Sequence, residues 1–375
     1  MSDNPFANIF GDIFHVLGQQ GPDAWFDTAT QMALSIARGE DGDPNPLPTE
    51  RAALEQWAPL VERHVDALLG VARDAELTAV NRSGLASAAL AQWRPLVAPL
   101  VARPVTAPDG PTEGVDQGAA LAQMIAALGP LFTGFQMGSV AGHFTERAWS
   151  LAALALPRER DERILAVNNL AAFAESWSLE RDEVYVFALA QESVASLVLA
   201  RPGTGDALRA LLLDTVAEAA AAQGDLLERL SGLVDPEDLS ALVEDPAALL
   251  EGITPPDDSP AVAALNAATA ALSAFFDAAA LSVVEALLGP RPALAEAYRR
   301  HRRSDARGED AAAALFGISL QGEHHDAARE FVAAVGASEG LGAFSAFLRV
   351  DGLPRADELA DPAAWRARVE SSPLA

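Results

Sequence analysis

One carboxylate stands out by its setting. From Arg181 to Leu199 the chain runs RDEVYVFALAQESVASLVL, and Tyr185, Ala188, Leu189, Glu192, Ala195, Ser196 and Leu199 recur at three- and four-residue spacing. That spacing lays them along one face of a helix, with Glu192 in the middle of an otherwise apolar stripe. A carboxylate there needs a partner, such as Tyr185 or an arginine; otherwise it is costly to bury or stays protonated. Other polar groups invite chemistry. Arg299–Arg300–His301–Arg302–Arg303 closes a predicted helix, where cations suit the macrodipole. The cluster either pairs with the acidic body or forms an anion site. Glu323–His324–His325–Asp326 offers metal-ligand types, but adjacent helical residues point about 100° apart and chelate poorly together. His143 follows a glycine strip and could face a cavity, whereas His15 and His64 sit on amphipathic helices.

Composition removes several chemistries. The chain has no cysteine, so thiolate nucleophiles, disulfides and cysteine metal sites are excluded. It has no lysine, which excludes Schiff-base chemistry. No G-x-S-x-G elbow is present to support a serine hydrolase. A formal net charge of -27 argues against a nucleic-acid surface, which needs cations facing phosphate.

The elements that must position these groups read as helices. Alanine dominates and aromatics are scarce, which favours an all-α or mainly α fold. Residues 1–40 read as an N-terminal amphipathic helical arm. Its stripe of Phe6, Ile9, Phe10, Ile13, Phe14 and Leu17 either packs on the body or, across residues 6–17, docks on a protein partner or a second copy. Residues 44–104 read as a helical hairpin, with helices over 49–73 and 83–103 antiparallel. Residues 115–375 form the main helical domain, with an acidic surface loop over 235–260. Ser178 is placed to cap the helix carrying Glu192. Gly134, Gly138 and Gly142 recur every fourth residue, giving a smooth strip for close helix packing on a helix expected to be fully buried. The apolar run 118–145 is long, but its Gly129–Pro130 break and polar residues argue against a membrane span, so a membrane role is not expected. The start lacks the basic-then-apolar pattern of a signal peptide, which makes a cytoplasmic location the default expectation. Short strands are possible only near Gly317–Gln321 or Phe347–Leu353.

Several segments resemble an actinobacterial-type, zinc-dependent metalloprotease-like hydrolase family with a zincin-like fold. The resemblance rests on Asn4–Pro5–Phe6, Trp93 with Leu96–Val97 and Pro99, and Phe135–Gln136–Met137–Gly138. It continues through Asn169, Ala171–Phe173, Asp182–Glu183–Val184, Leu353–Pro354, and Asp361–Pro362 with Trp365. It implies that the helix starting near Asp182 carries a Glu-x-x-His element, the second half of a zinc-binding HExxH motif. In such a motif two histidines one turn apart hold zinc and the glutamate acts as general base. Here the stretch reads Gln191–Glu192–Ser193–Val194–Ala195, so Glu192 keeps the base position, while Gln191 and Ala195 stand where the resemblance expects histidines. The expected downstream Glu-Gly-aromatic reads Asp277–Ala278–Ala279. The resemblance therefore implies a pseudoenzyme kept for binding or scaffolding, with no cofactor, and with zinc only if the site works. The next reading is an all-α interaction module. The last is an active hydrolase using Glu192, Asp277 and a distant histidine such as His143.

Overall fold

The computed structural model describes residues 24–40, 42–73, 75–101, 133–231, 259–303, 307–320 and 323–371. The expected arm stripe over 6–17 lies outside the described residues, as does the expected acidic loop over 235–260 except for its last two residues. The described chain is mainly helical. Its elements are α1 (Ala24–Arg38), α2 (Pro48–Leu69), β1 (Leu77–Val80) and α3 (Arg82–Val101). A helix α4 is described over 133–144. A short 3-10 turn (Leu151–Ala153), β2 (Arg163–Ala166), α5 (Val167–Ser176), α6 (Arg181–Leu199) and α7 (Pro202–Ser231) follow. Then come α8 (Pro260–Leu288), α9 (Pro292–Arg303), α10 (Arg307–Leu315), α11 (Glu323–Glu339), a 3-10 segment (Leu341–Leu348) and α12 (Pro362–Ser371).

The centre of the molecule is α6. Every residue from Glu183 to Leu199 is buried, so the single apolar stripe read from the sequence is an underestimate. A helix apolar all round is one covered all round. Its covers are α8, the most extensive partner, then α2 and α5. Its start is fixed by Glu180, whose N–H donates to Glu183 Oε1 at 3.1 Å. Ser178 is not the cap. It sits at φ 54°, in the left-handed turn between α5 and α6. The second long helix, α8, opens on Ser259, whose Oγ accepts from the Val262 N–H at 3.1 Å, with Pro260 at the first position. Among the described residues α8 is the one helix long and apolar enough by itself to cross a membrane. It packs against α6, α11 and α7, which bury about half of that apolar stretch (56%).

The two helices expected to pair as a hairpin take other principal partners. α2 packs on α6 through Leu54, Val61, Val65 and Leu69, while α3 packs on α1. A strand separates them. β1 pairs in parallel with β2, from Leu77 opposite Arg163 to Val80 opposite Ala166. This small sheet lies between two apolar cores, and β2 serves both. Leu165 faces the core around α6 and α8, whereas Ile164 and Ala166 face the core around α1, α3 and α4. That is the alternation a strand imposes. The strands expected near Gly317–Gln321 or Phe347–Leu353 do not form over their described residues. The Ser319 N–H is taken by Asn266 Oδ1 at 2.7 Å, and the chain after Phe347 turns through a Gly352 N–H bond to the Arg349 carbonyl at 3.1 Å. The C-terminal part closes on Trp365, fully buried against Phe331, Phe344 and Phe347, with its indole N–H on the Gly352 carbonyl at 2.8 Å.

The glycine strip packs as its spacing implies. A Cβ on Gly134 would lie 2.4 Å from the Trp25 carbonyl oxygen, and one on Gly138 would lie 2.5 Å from that of Ala29. α1 answers with small residues, since Ala29, Ala33 and Ala37 are its buried positions after Trp25. α4 is not fully buried, however, because Phe135 points outward and is 54% exposed. Gly138→Ala is expected to force α1 and α4 apart and cost about 1–3 kcal/mol, the usual range for overpacking. Urea denaturation would measure it, and an unchanged midpoint would refute the close contact.

Candidate functional site

Glu192 is completely buried, and its partner is Arg158, 34 residues earlier in a loop. The two form a fork-to-fork pair. Arg158 Nη1 donates to Glu192 Oε1 at 2.7 Å and Nη2 donates to Oε2 at 3.0 Å. Backbone N–H groups complete the shell, from Ala152 to Oε2 at 3.1 Å and from Ile164 to Oε1 at 3.3 Å. Of the two partners the sequence allowed, the arginine is the one used and Tyr185 is not. A carboxylate holding four donors, two of them on a cation, has its lone pairs engaged. It ties together the loop carrying Arg158, the 3-10 turn, β2 and α6.

One residue earlier, the side chain points to a different group. Gln191 Oε1 accepts from the indole N–H of Trp149 at 3.2 Å. Because the indole can only donate, it fixes the orientation of the amide. Gln191 Nε2 therefore donates, to Asp277 Oδ1 at 2.7 Å and to the Tyr298 hydroxyl at 2.6 Å. The Tyr298 hydroxyl in turn donates to Asp277 Oδ1 at 2.9 Å, which closes a triangle. So α6, α8 and α9 meet at one polar point. Gln191 and Asp277, singled out from the sequence, are brought together there. Ala195, one turn further along α6, is fully buried and offers no donor atom. Trp149 and Tyr298 were missed because neither belongs to any motif. The cue was there in retrospect, since a buried tyrosine or tryptophan usually brings a polar end that needs a partner.

Burial pushes the Asp277 carboxyl above the usual aspartate range, against the Arg302 charge and the bonds from Tyr298 and Gln191. Burial, with the Asp277 charge, also pushes the Tyr298 hydroxyl well above its ordinary value, so it stays protonated and donating. His301 stacks on Trp149 with ring centroids 5.2 Å apart. Burial and the nearby Arg147 and Arg302 lower its pKa to about 3, which leaves it neutral at neutral pH. The basic run of α9 thus does several jobs. Arg299 and Arg300 pair with Glu296 at 2.7 Å each, whereas Arg302 donates to the Ala153 carbonyl at 3.2 Å.

A cavity of about 590 Å³ opens over this point, with Asp277, Tyr298, Arg302, His325 and Arg329 among its lining residues. His325 Nε2 lies 3.0 Å from the Ser319 carbonyl, so Nε2 carries the proton and Nδ1 the lone pair. Burial and Arg302 lower its pKa to about 4. Its sequence neighbours do not join it in a chelate. His143 faces a separate cavity of about 340 Å³, lined by Glu146, Arg147 and Glu309, and pairs with Glu146 at 2.8 Å. Glu192, Asp277 and His143 are therefore not brought together. Among the described residues no three His, Asp or Glu side chains converge as metal ligands. The donor set at the triangle also does not suit zinc. It supplies a single carboxylate, whose Oδ1 already accepts two hydrogen bonds, together with an amide turned donor-first and a protonated phenol, and no imidazole.

Residues 25–365 match the sequence model of a family described as "Zincin-like metallopeptidase". No curated protein matches the chain. Its fold is similar to a solved structure from Chloroflexus aurantiacus described as "a putative hydrolase with a novel fold", with a TM-score of 0.61 and 16% identity. That likeness covers 93% of this chain and 99% of the other.

Proposed function

Because the chain belongs to the zincin-like metallopeptidase family, we propose that it is a member in which a hydrogen-bonded triangle stands where zinc chemistry would be done, and that it binds ligands without cleaving them. The observation carrying this reading is the bonding of Gln191 to both Asp277 and Tyr298. In an HExxH zinc site the residues at positions 191 and 195 would each present imidazole lone pairs to the metal. Here one presents N–H donors to an aspartate and the other is a methyl group. The position of the general base is occupied by Glu192, whose oxygens are held by Arg158. Such residues support no step through a metal-bound water. What they support is a rigid polar floor under a cavity of ligand size.

Metal analysis tests the reading. Mass spectrometry on protein purified without an affinity tag or added zinc is expected to find less than about a tenth of an equivalent, given the ligand set. Near-stoichiometric zinc, lost on Asp277→Ala, would refute it.

A further inference from the structure

The cavity over Asp277 and Tyr298 is lined by more cations than the triangle beneath it requires. Arg299, Arg302, Arg303 and Arg329 line it, against the acids Asp277 and Asp326. This is a positive balance inside a chain of formal net charge -27. Ala274, Ala278, Leu281, Val332 and Ala333 also line it and give it apolar surface. We propose that the cavity holds the C-terminal end of a peptide whose last residue is apolar. The proposal rests on the non-catalytic binding role and names its ligand.

Each part of such a ligand has a counterpart. The free α-carboxylate suits the guanidinium groups, whose planar donor forks match it in pairs. Arg299 and Arg329 already hold Glu296 and Asp326, but those are short-range pairs at exposed positions, and each arginine has further N–H donors. The last side chain suits the apolar wall. The polar floor separates a peptide from a simple fatty acid. Asp277 and the lone pair on His325 Nδ1 are acceptors, and peptide N–H groups can meet them where an alkyl chain cannot. Inorganic phosphate suits the arginines but leaves the apolar residues of the wall uncovered. A volume of about 590 Å³ lies in the range of small-ligand sites and takes a few residues of chain.

Calorimetric titration of the full chain tests this with four probes: acetyl-Ala-Ala-Leu with a free C-terminus, the same peptide amidated, octanoate, and inorganic phosphate. The free acid is expected to bind, and amidation to weaken binding at least about tenfold, since it removes the charge-assisted pairs. Arg329→Gln, at an exposed position, and Arg302→Gln are each expected to weaken binding of the free acid by about tenfold. Circular dichroism checks that Arg302→Gln, which loses the bond to Ala153, remains folded. No binding at millimolar peptide, equal binding of acid and amide, or tighter binding of octanoate or phosphate overturns the peptide assignment. Mass spectrometry of the recovered peptide separates the two claims. Intact peptide agrees with binding alone, whereas cleaved peptide keeps the site and overturns the non-catalytic reading.

Discussion

Replacing Arg158 by leucine is expected to lower the unfolding free energy by about 3–5 kcal/mol, the cost of leaving a buried charge without its partner. Glu192 has no exposure to solvent, and its two backbone donors alone do not neutralise it. Glu192→Leu is expected to cost a similar amount, because it strands the guanidinium of Arg158, whose side chain is 3% exposed. The double variant is the decisive one. With both charges gone and apolar volume in their place, most of the loss should return, as replacement of a buried pair by packed hydrophobic residues is often neutral or better. Chemical denaturation of the four proteins gives the coupling energy directly. Additive losses would mean that Glu192 and Arg158 are held by separate surroundings and not by each other, and would remove this support for the non-catalytic reading.

The second large effect concerns metal affinity. Gln191 and Ala195 lie four residues apart on α6, so imidazoles at both positions would project from the same face toward Asp277. Gln191→His combined with Ala195→His is expected to raise zinc content from below about a tenth of an equivalent to near one, since two imidazoles and a carboxylate make a three-ligand zinc set. Each single substitution should leave it near the starting level. A histidine at the fully buried position 195 overpacks the core, at about 1–3 kcal/mol, so folding must be checked alongside metal. A folded double variant that stays free of zinc would show that α6 and α8 no longer hold the spacing a zinc site needs. Even the metal-loaded variant should remain a poor peptidase, because Glu192 still belongs to Arg158.

The helices that organise this site were legible because their ends carry local chemistry. Pro260 and Pro292 open α8 and α9, and Gly289 closes α8 at φ 79°. The glycine strip of α4 was legible for the same reason, as a repeat every fourth residue. The start of α6 was misjudged by two residues. Ser178 has the right type for a cap, but the tight turn after α5 places it in left-handed backbone, and the nearby Glu180–Glu183 pair takes the role. The strands escaped notice because each has only four residues, too few for an alternating pattern to stand out. The split of the expected hairpin followed, since β1 lies between its helices. The resemblance singled out Gln191, Glu192, Ala195 and Asp277. No one-dimensional pattern could have joined Asp277 to Gln191, 86 residues away, or Glu192 to a lone loop arginine. The run Arg299 to Arg303 was read as one basic patch. The fold divides it among solvent, an aromatic stack on Trp149 and the cavity wall, because successive helical residues face different ways.

The Arg158–Glu192 pair also bears on what this sequence could become. A lineage seeking hydrolysis from it would need two histidines for the metal and a glutamate released for the base. Releasing the glutamate means losing Arg158, and that single step removes a large share of the stability that most domains possess. An intermediate that loses Arg158 and keeps Glu192 is expected to be less stable before any activity is gained. Under the non-catalytic reading proposed above, the pair works as a historical ratchet, because the way to hydrolysis passes through a destabilised form.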